Sequence, residues 1–116
     1  MTWGTVELEP EVADWLGALD DQRWAQAMMH LDLLEERGVL LGEPYTRQLD
    51  GKLRELRFYC GGATIRVTYW IAAERRIIML TVFHKTRMRE TDEVERARRA
   101  LVRCRTEQHT ADDEEK

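Results

Sequence analysis

Apolar positions along the chain repeat first with a period near 3.6 and later with a period of 2. Val12, Trp15, Leu16 and Leu19 recur at i, i+3, i+4 and i+7, the spacing that turns one stripe of a helix toward a core. Pro10 stands in the first turn of that helix, where its missing N–H has no partner to lose. A second stripe, Trp24, Ala27, Met28, Leu31 and Leu34, predicts a second helix. Asp20 or Asp21 caps its start, and Gly38 allows the left-handed turn that ends it. Trp3 to Leu8, with Trp, Thr and Val, predicts a short edge strand ahead of both helices.

The period then changes. From Leu53 to Cys60, Leu56, Phe58 and Cys60 alternate with Glu55, Arg57 and Tyr59, as in a half-buried strand. Gly61-Gly62 is a tight hairpin signal, since glycine takes positive φ without a steric clash. On the next strand Ile65, Val67, Tyr69 and Ile71 share one face, with Thr64, Arg66, Thr68 and Trp70 on the other. A turn at Ala73-Glu74 leads to Arg76–Phe83, apolar on both parities, which predicts a central strand covered on both sides. The stretch from Val39 to Gly51, with Gly42, Pro44 and Gly51, reads as a loop. Thr91 caps a last helix with a narrow stripe of Val94, Ala97, Leu101 and Cys104. The expected architecture is α+β, in the order β-α-α-β-β-β-α, with a small, mostly antiparallel sheet packed against the two N-terminal helices. Residues 1–105 form one domain, and the acidic tail, 106–116, lacks apolar periodicity and is expected to be disordered.

Charge sharpens this picture. The formal net charge of the 116 residues is −4. Yet residues 47–89 hold ten Lys or Arg against three acids, while residues 1–46 hold ten acids against two arginines. A basic sheet in an acidic protein points to a phosphate-bearing partner. No apolar run approaches the ~20 residues that cross a bilayer, and the N-terminus lacks the features of a signal peptide, so a cytoplasmic protein with no membrane partner is expected. Two cysteines, Cys60 and Cys104, give neither a disulfide framework nor a zinc spacing, and read as buried small side chains. No phosphate loop or nucleophile elbow is present, and no cofactor or metal is expected.

Four motifs stand in order on these elements: QLDGKL (48–53) before the meander, LRELRF (53–58) on its first strand, RVTY (66–69) on its second, and FHKT (83–86) after its third. Together they resemble the RelE/ParE toxin superfamily of bacterial type II toxin-antitoxin systems, nearest its HigB-like, phage-derived branch. The likeness covers roughly residues 3–105. Where the branch shows a second lysine after its third strand, this chain has Thr86, and its last helix lacks the tyrosine that closes some members. The resemblance implies a RelE-like fold and a toxin that cleaves mRNA on the ribosome and is neutralised by a cognate antitoxin of helix-turn-helix type. Operator DNA would be reached only through the toxin-antitoxin complex. It also implies that Arg57 faces the substrate, that Arg66 matches the arginine opening the second strand, and that Lys85 and Arg87 lie in the basic exit segment.

Metal-independent RNA cleavage uses the 2′-OH against its neighbouring phosphate, so fixed cations must meet a growing negative charge. Arg57, Arg66, Lys85 and Arg87 are of the right type, because a guanidinium fork grips two phosphate oxygens and keeps its charge. His84 and Glu55 are the local groups that could move a proton. Arg47, Lys52, Arg54 and Arg89 complete the basic segment as RNA-binding candidates. Plainer readings stand beside these: exposed arginines are usually solvated, Glu55 and Arg57 could form a surface pair, and His84 could be structural. Trp3, Trp15 and Trp24 fit core stripes, and Trp70 fits helix packing better than base stacking. Arg57 and Arg66 are both expected to be exposed, so that replacing either leaves the fold intact. Two other functions fit the same fold, a ParE-like DNA gyrase inhibitor that cuts nothing and a non-catalytic module docking an antitoxin or regulator.

Overall fold

A computed structural model of the chain describes residues 2–84 and 90–115. The element order is β1 (Thr5–Leu8), α1 (Pro10–Gly17), α2 (Asp21–Arg37), β2 (Thr46–Asp50), β3 (Leu53–Cys60), β4 (Ala63–Ala72), β5 (Arg76–His84) and α3 (Glu90–Glu115). The fold is α+β, as expected, and its five strands lie in the order β1-β5-β4-β3-β2. β1 runs parallel to β5 and every other neighbouring pair is antiparallel.

The helices begin and end where their chemistry dictates. Pro10 opens α1. The Asp20 carboxylate accepts from the Arg23 N–H at 2.8 Å and caps α2, satisfying one of the orphan donors of its first turn. Gly38 closes α2 at φ 52°. A Cβ there would also run into the Trp3 ring, so the position requires glycine on two counts. The β3–β4 turn holds Gly61 and Gly62 at φ 62° and 82°, giving the two-residue hairpin between Cys60 and Ala63.

The sheet has two unlike faces. Against α1 and α2 it presents Leu56, Phe58, Cys60, Ile65, Val67, Tyr69, Ile77 and Met79, closed over by Val12, Leu16, Ala27, Leu31 and Leu34. On the other face Leu53, Trp70, Ala72, Ile78 and Leu80 lie beneath Ala97, Ala100, Leu101 and Cys104 of α3. β5 feeds both cores, which explains its apolar character on both parities. Trp70 sits under α3 with its indole N–H on Cys104 Sγ at 3.4 Å. Cys60 and Cys104 are buried free thiols, and burial pushes both above the ordinary thiol range.

Two details differ from the expectation. Residues 46–50, assigned to a loop, form the edge strand β2, paired with β3 from Thr46↔Leu56 to Asp50↔Leu53. Such a short polar strand carries no alternation strong enough to see, and Gly51-Lys52, with Gly51 at φ 56°, is its hairpin turn. Trp24, placed on the core stripe, is 47% exposed: it shares the face of Ala27, Leu31 and Leu34 but stands in the first turn of α2, ahead of the buried positions.

Candidate nucleic-acid interface

The α3-bearing face of the sheet has a second half, and there the strands place charge. Register sets it out in rows. Arg47 lies opposite Glu55, which lies opposite Thr68, which lies opposite Thr81. In the next row Arg57 lies opposite Arg66, which lies opposite Phe83. Two arginines directly across a strand pair repel one another, so something between them must carry negative charge.

Glu55 does so. Its side chain is 0% exposed, with both carboxylate oxygens sealed from solvent. Arg47 Nη2 approaches Oε1 at 3.0 Å, Arg57 Nε approaches Oε1 at 3.9 Å, and Arg66 Nη1 approaches Oε2 at 3.9 Å. One carboxylate therefore draws three guanidiniums together. The cluster is layered: Arg66 is 3% exposed and Glu55 lies wholly inside, whereas the Arg57 side chain is 33% exposed and that of Arg47 about as much. The Arg66 guanidinium also lies 5.9 Å from the centroid of the Phe83 ring, a cation–π distance. Thr68 and Thr81 close the row with hydroxyls 2.6 Å apart, Thr68 Oγ1 also accepting from the Thr81 N–H at 3.1 Å.

Two expectations are thereby corrected. Glu55 and Arg57 do not form a plain surface pair, because Glu55 is interior and shared. Arg66 is not exposed, so its replacement by alanine would strand part of a buried carboxylate's compensation. The other candidates fall elsewhere. Arg54 points to the opposite face, where its Nε donates to the Tyr69 hydroxyl at 3.4 Å. Lys52 is exposed in the β2–β3 turn. His84 pairs with Ile65 and borders a cavity on the α1 and α2 side with Trp15, Arg23 and Cys60, so the sheet separates it from the arginines. Lys85, Arg87 and Arg89 lie outside the described residues. Sequence reasoning passed over Tyr45 and Tyr59, which border Arg57 in a cleft at the outer edge of β3; exposed tyrosines in a basic strand segment were the available signal.

Among the described residues no group of three or more His, Cys, Asp or Glu is placed to hold a metal ion, and no helix is long and apolar enough to cross a membrane.

A family model, Phage derived protein Gp49-like (DUF891), matches residues 14–104. The chain belongs to this family. Among solved structures, the Gp49-like chain is similar to the archaeal RelE-RelB complex from Pyrococcus horikoshii OT3, with a TM-score of 0.56 at 20% identity, over 73% of this chain and 98% of that one. The fold is thus RelE-like, as the four motifs implied. No curated protein matches the sequence.

Proposed function

We propose that this Gp49-like protein is the toxin of a toxin-antitoxin pair and acts in the cytoplasm as a ribosome-dependent mRNA endonuclease. The observation that carries the reading is the Glu55-centred cluster, in which a buried carboxylate gathers three guanidiniums within 3.0–3.9 Å, those of Arg47 and Arg57 partly exposed, on a RelE-like sheet. Preorganised cations of this kind stabilise charge that develops on a phosphate without having to reorganise during the reaction. In the reaction the 2′ oxygen bonds to its neighbouring phosphorus as the bond to the 5′ oxygen breaks, leaving a 2′,3′-cyclic phosphate and a 5′-hydroxyl. Arg57 and Arg47, the outer pair, meet the phosphate oxygens. Arg66 and Glu55 act beneath them as positioning residues.

Neither titrating candidate from the sequence suits the proton transfers: Glu55 is sealed from solvent, and His84 lies across the sheet. The described residues therefore carry the charge-stabilising half of the chemistry. A cognate antitoxin belongs to the proposal as well, since the solved relative is a RelE-RelB complex.

Induced expression of the chain without a partner tests the reading. The expected result is growth arrest with mRNA cut only where ribosomes translate it, relieved by Arg57→Ala, a change at a partly exposed residue that costs the fold about 1 kcal/mol or less. Arrest with intact mRNA and DNA damage would assign the fold to gyrase inhibition, and unimpaired growth would leave only a docking module.

A further inference from the structure

β2 pairs with β3 only as far as Leu56, with one more hydrogen bond from the Arg57 N–H to the Tyr45 carbonyl at 2.8 Å. Beyond it, among the described residues, the outer edge of β3 from Phe58 to Cys60 has no strand beside it. α2 is held close to this end of the hairpin, because the Gly61 N–H donates to Gln26 Oε1 at 3.1 Å and Cys60 Sγ donates to the Arg23 carbonyl at 3.4 Å. The result is a cleft of about 370 Å³ between helix and strand edge, within the size range of small-ligand sites.

Its lining is aromatic. His30 stacks on Phe58 with centroids 4.7 Å apart and planes 13° from parallel, and the Tyr45 ring stands 6.4 Å from His30 at 47°. Tyr59 is 74% exposed at the rim, a large aromatic surface that contributes little to the core. His30 is fixed in one tautomer: Nδ1 lies 2.8 Å from the Gln26 carbonyl, which can only accept, so Nδ1 carries hydrogen and Nε2 is left as the neutral ring's acceptor. Arg57 borders both the cleft and the Glu55 cluster. Stacked rings one residue from a phosphate-binding guanidinium match the chemistry of an unpaired nucleotide, whose base has a π face and whose backbone carries the charge.

We infer that the His30–Tyr45–Tyr59 cleft receives a nucleobase of single-stranded RNA, adjacent to the phosphate held by Arg57. The inference rests on the nuclease reading for its phosphate and adds a second subsite to it. Stacking on aromatic rings makes the subsite tolerant of base identity.

The test is binding of the purified full-length chain to a hexanucleotide of 2′-O-methyl RNA, which cannot undergo 2′ attack, and to the same backbone without bases. The base-bearing strand should bind on the order of tenfold more tightly and shift the ring resonances of His30, Tyr45 and Tyr59. Tyr59→Ala should remove that advantage and Tyr59→Phe should keep it, since stacking needs the ring and not the hydroxyl. Equal binding of both strands, with Arg57→Ala weakening each, overturns the base subsite and leaves the phosphate site standing. Binding of neither strand overturns both. An extended peptide that perturbs the Phe58–Cys60 amides while RNA leaves them unchanged would give the edge to a polypeptide strand, and so also overturns the subsite.

Discussion

The two faces of one sheet solve the burial problem in opposite ways. Against α1 and α2 the strands supply an apolar surface, and Leu56, Ile65 and Val67 are held there by close packing. On the other face only half is apolar and roofed by α3, while the neighbouring half buries Glu55, Arg66, Thr68 and Thr81. Burial on the first face follows from removing hydrocarbon from water, which is favourable wherever it occurs. On the second it is tolerated only because each buried charge meets an opposite one, and removing a buried member, Glu55 or Arg66, exposes the cost of the other. Positional precision is what the second arrangement gains, since Glu55 can aim three guanidiniums only if it is itself immobile.

Replacing Glu55 by Ala should have the largest effect, because Arg66 would remain buried beside Arg57 and Arg47 with their shared counter-charge gone. The expected loss is about 3–5 kcal/mol in urea unfolding. A joint Glu55→Met and Arg66→Met change sharpens the contrast: it should restore most of that stability by making the cluster apolar, yet abolish growth arrest on induction. If the joint variant were as unstable as the single one, the cost would come from packing and not from charge.

Leu56→Ala probes the other face, where the loss is transfer energy plus a cavity. About 2–5 kcal/mol is expected, with no selective effect on RNA binding among molecules that stay folded. Smaller still is Asp20→Ala, which removes the α2 cap at an exposed position and should lower stability by about 1 kcal/mol. Thermal melting should read that loss, while RNA affinity stays unchanged.

The smallest effect is a pH dependence at the edge of the sheet. Arg76 donates two hydrogen bonds to Glu7, at 2.6 and 2.8 Å, and so holds the Glu7 carboxyl below the usual carboxylate range. A lowered folded-state pKa contributes stability that is present above the unfolded value and fades as pH falls through the folded one. Glu7→Gln should therefore lower stability slightly at neutral pH, match the parent chain below the folded pKa of Glu7, and so flatten the acid limb of the stability profile. Cys60 and Cys104 behave in the opposite sense: with pKa values raised by burial, they should stay unreactive toward thiol reagents at neutral pH until the chain unfolds.

Much of this fold is legible in the chain because local periodicity and turn chemistry record it directly. The helix stripes around Leu16 and Leu31, the Asp20 cap, the Gly38 stop, the Gly61-Gly62 hairpin and the two-sided β5 each depend on neighbours within a few residues. So does the segregation of basic residues into 47–89, which indicates a phosphate-bearing partner whatever the fold. Register and depth were decided only in three dimensions. That Arg57 stands across from Arg66 with Glu55 between them, that His84 lies across the sheet from both, and that β2 ends early enough to open a cleft at Tyr59 all depend on how distant strands align. A one-residue shift in that alignment would send every one of those side chains to the other side of the sheet, and no pattern within a single strand encodes which alignment its partners will adopt.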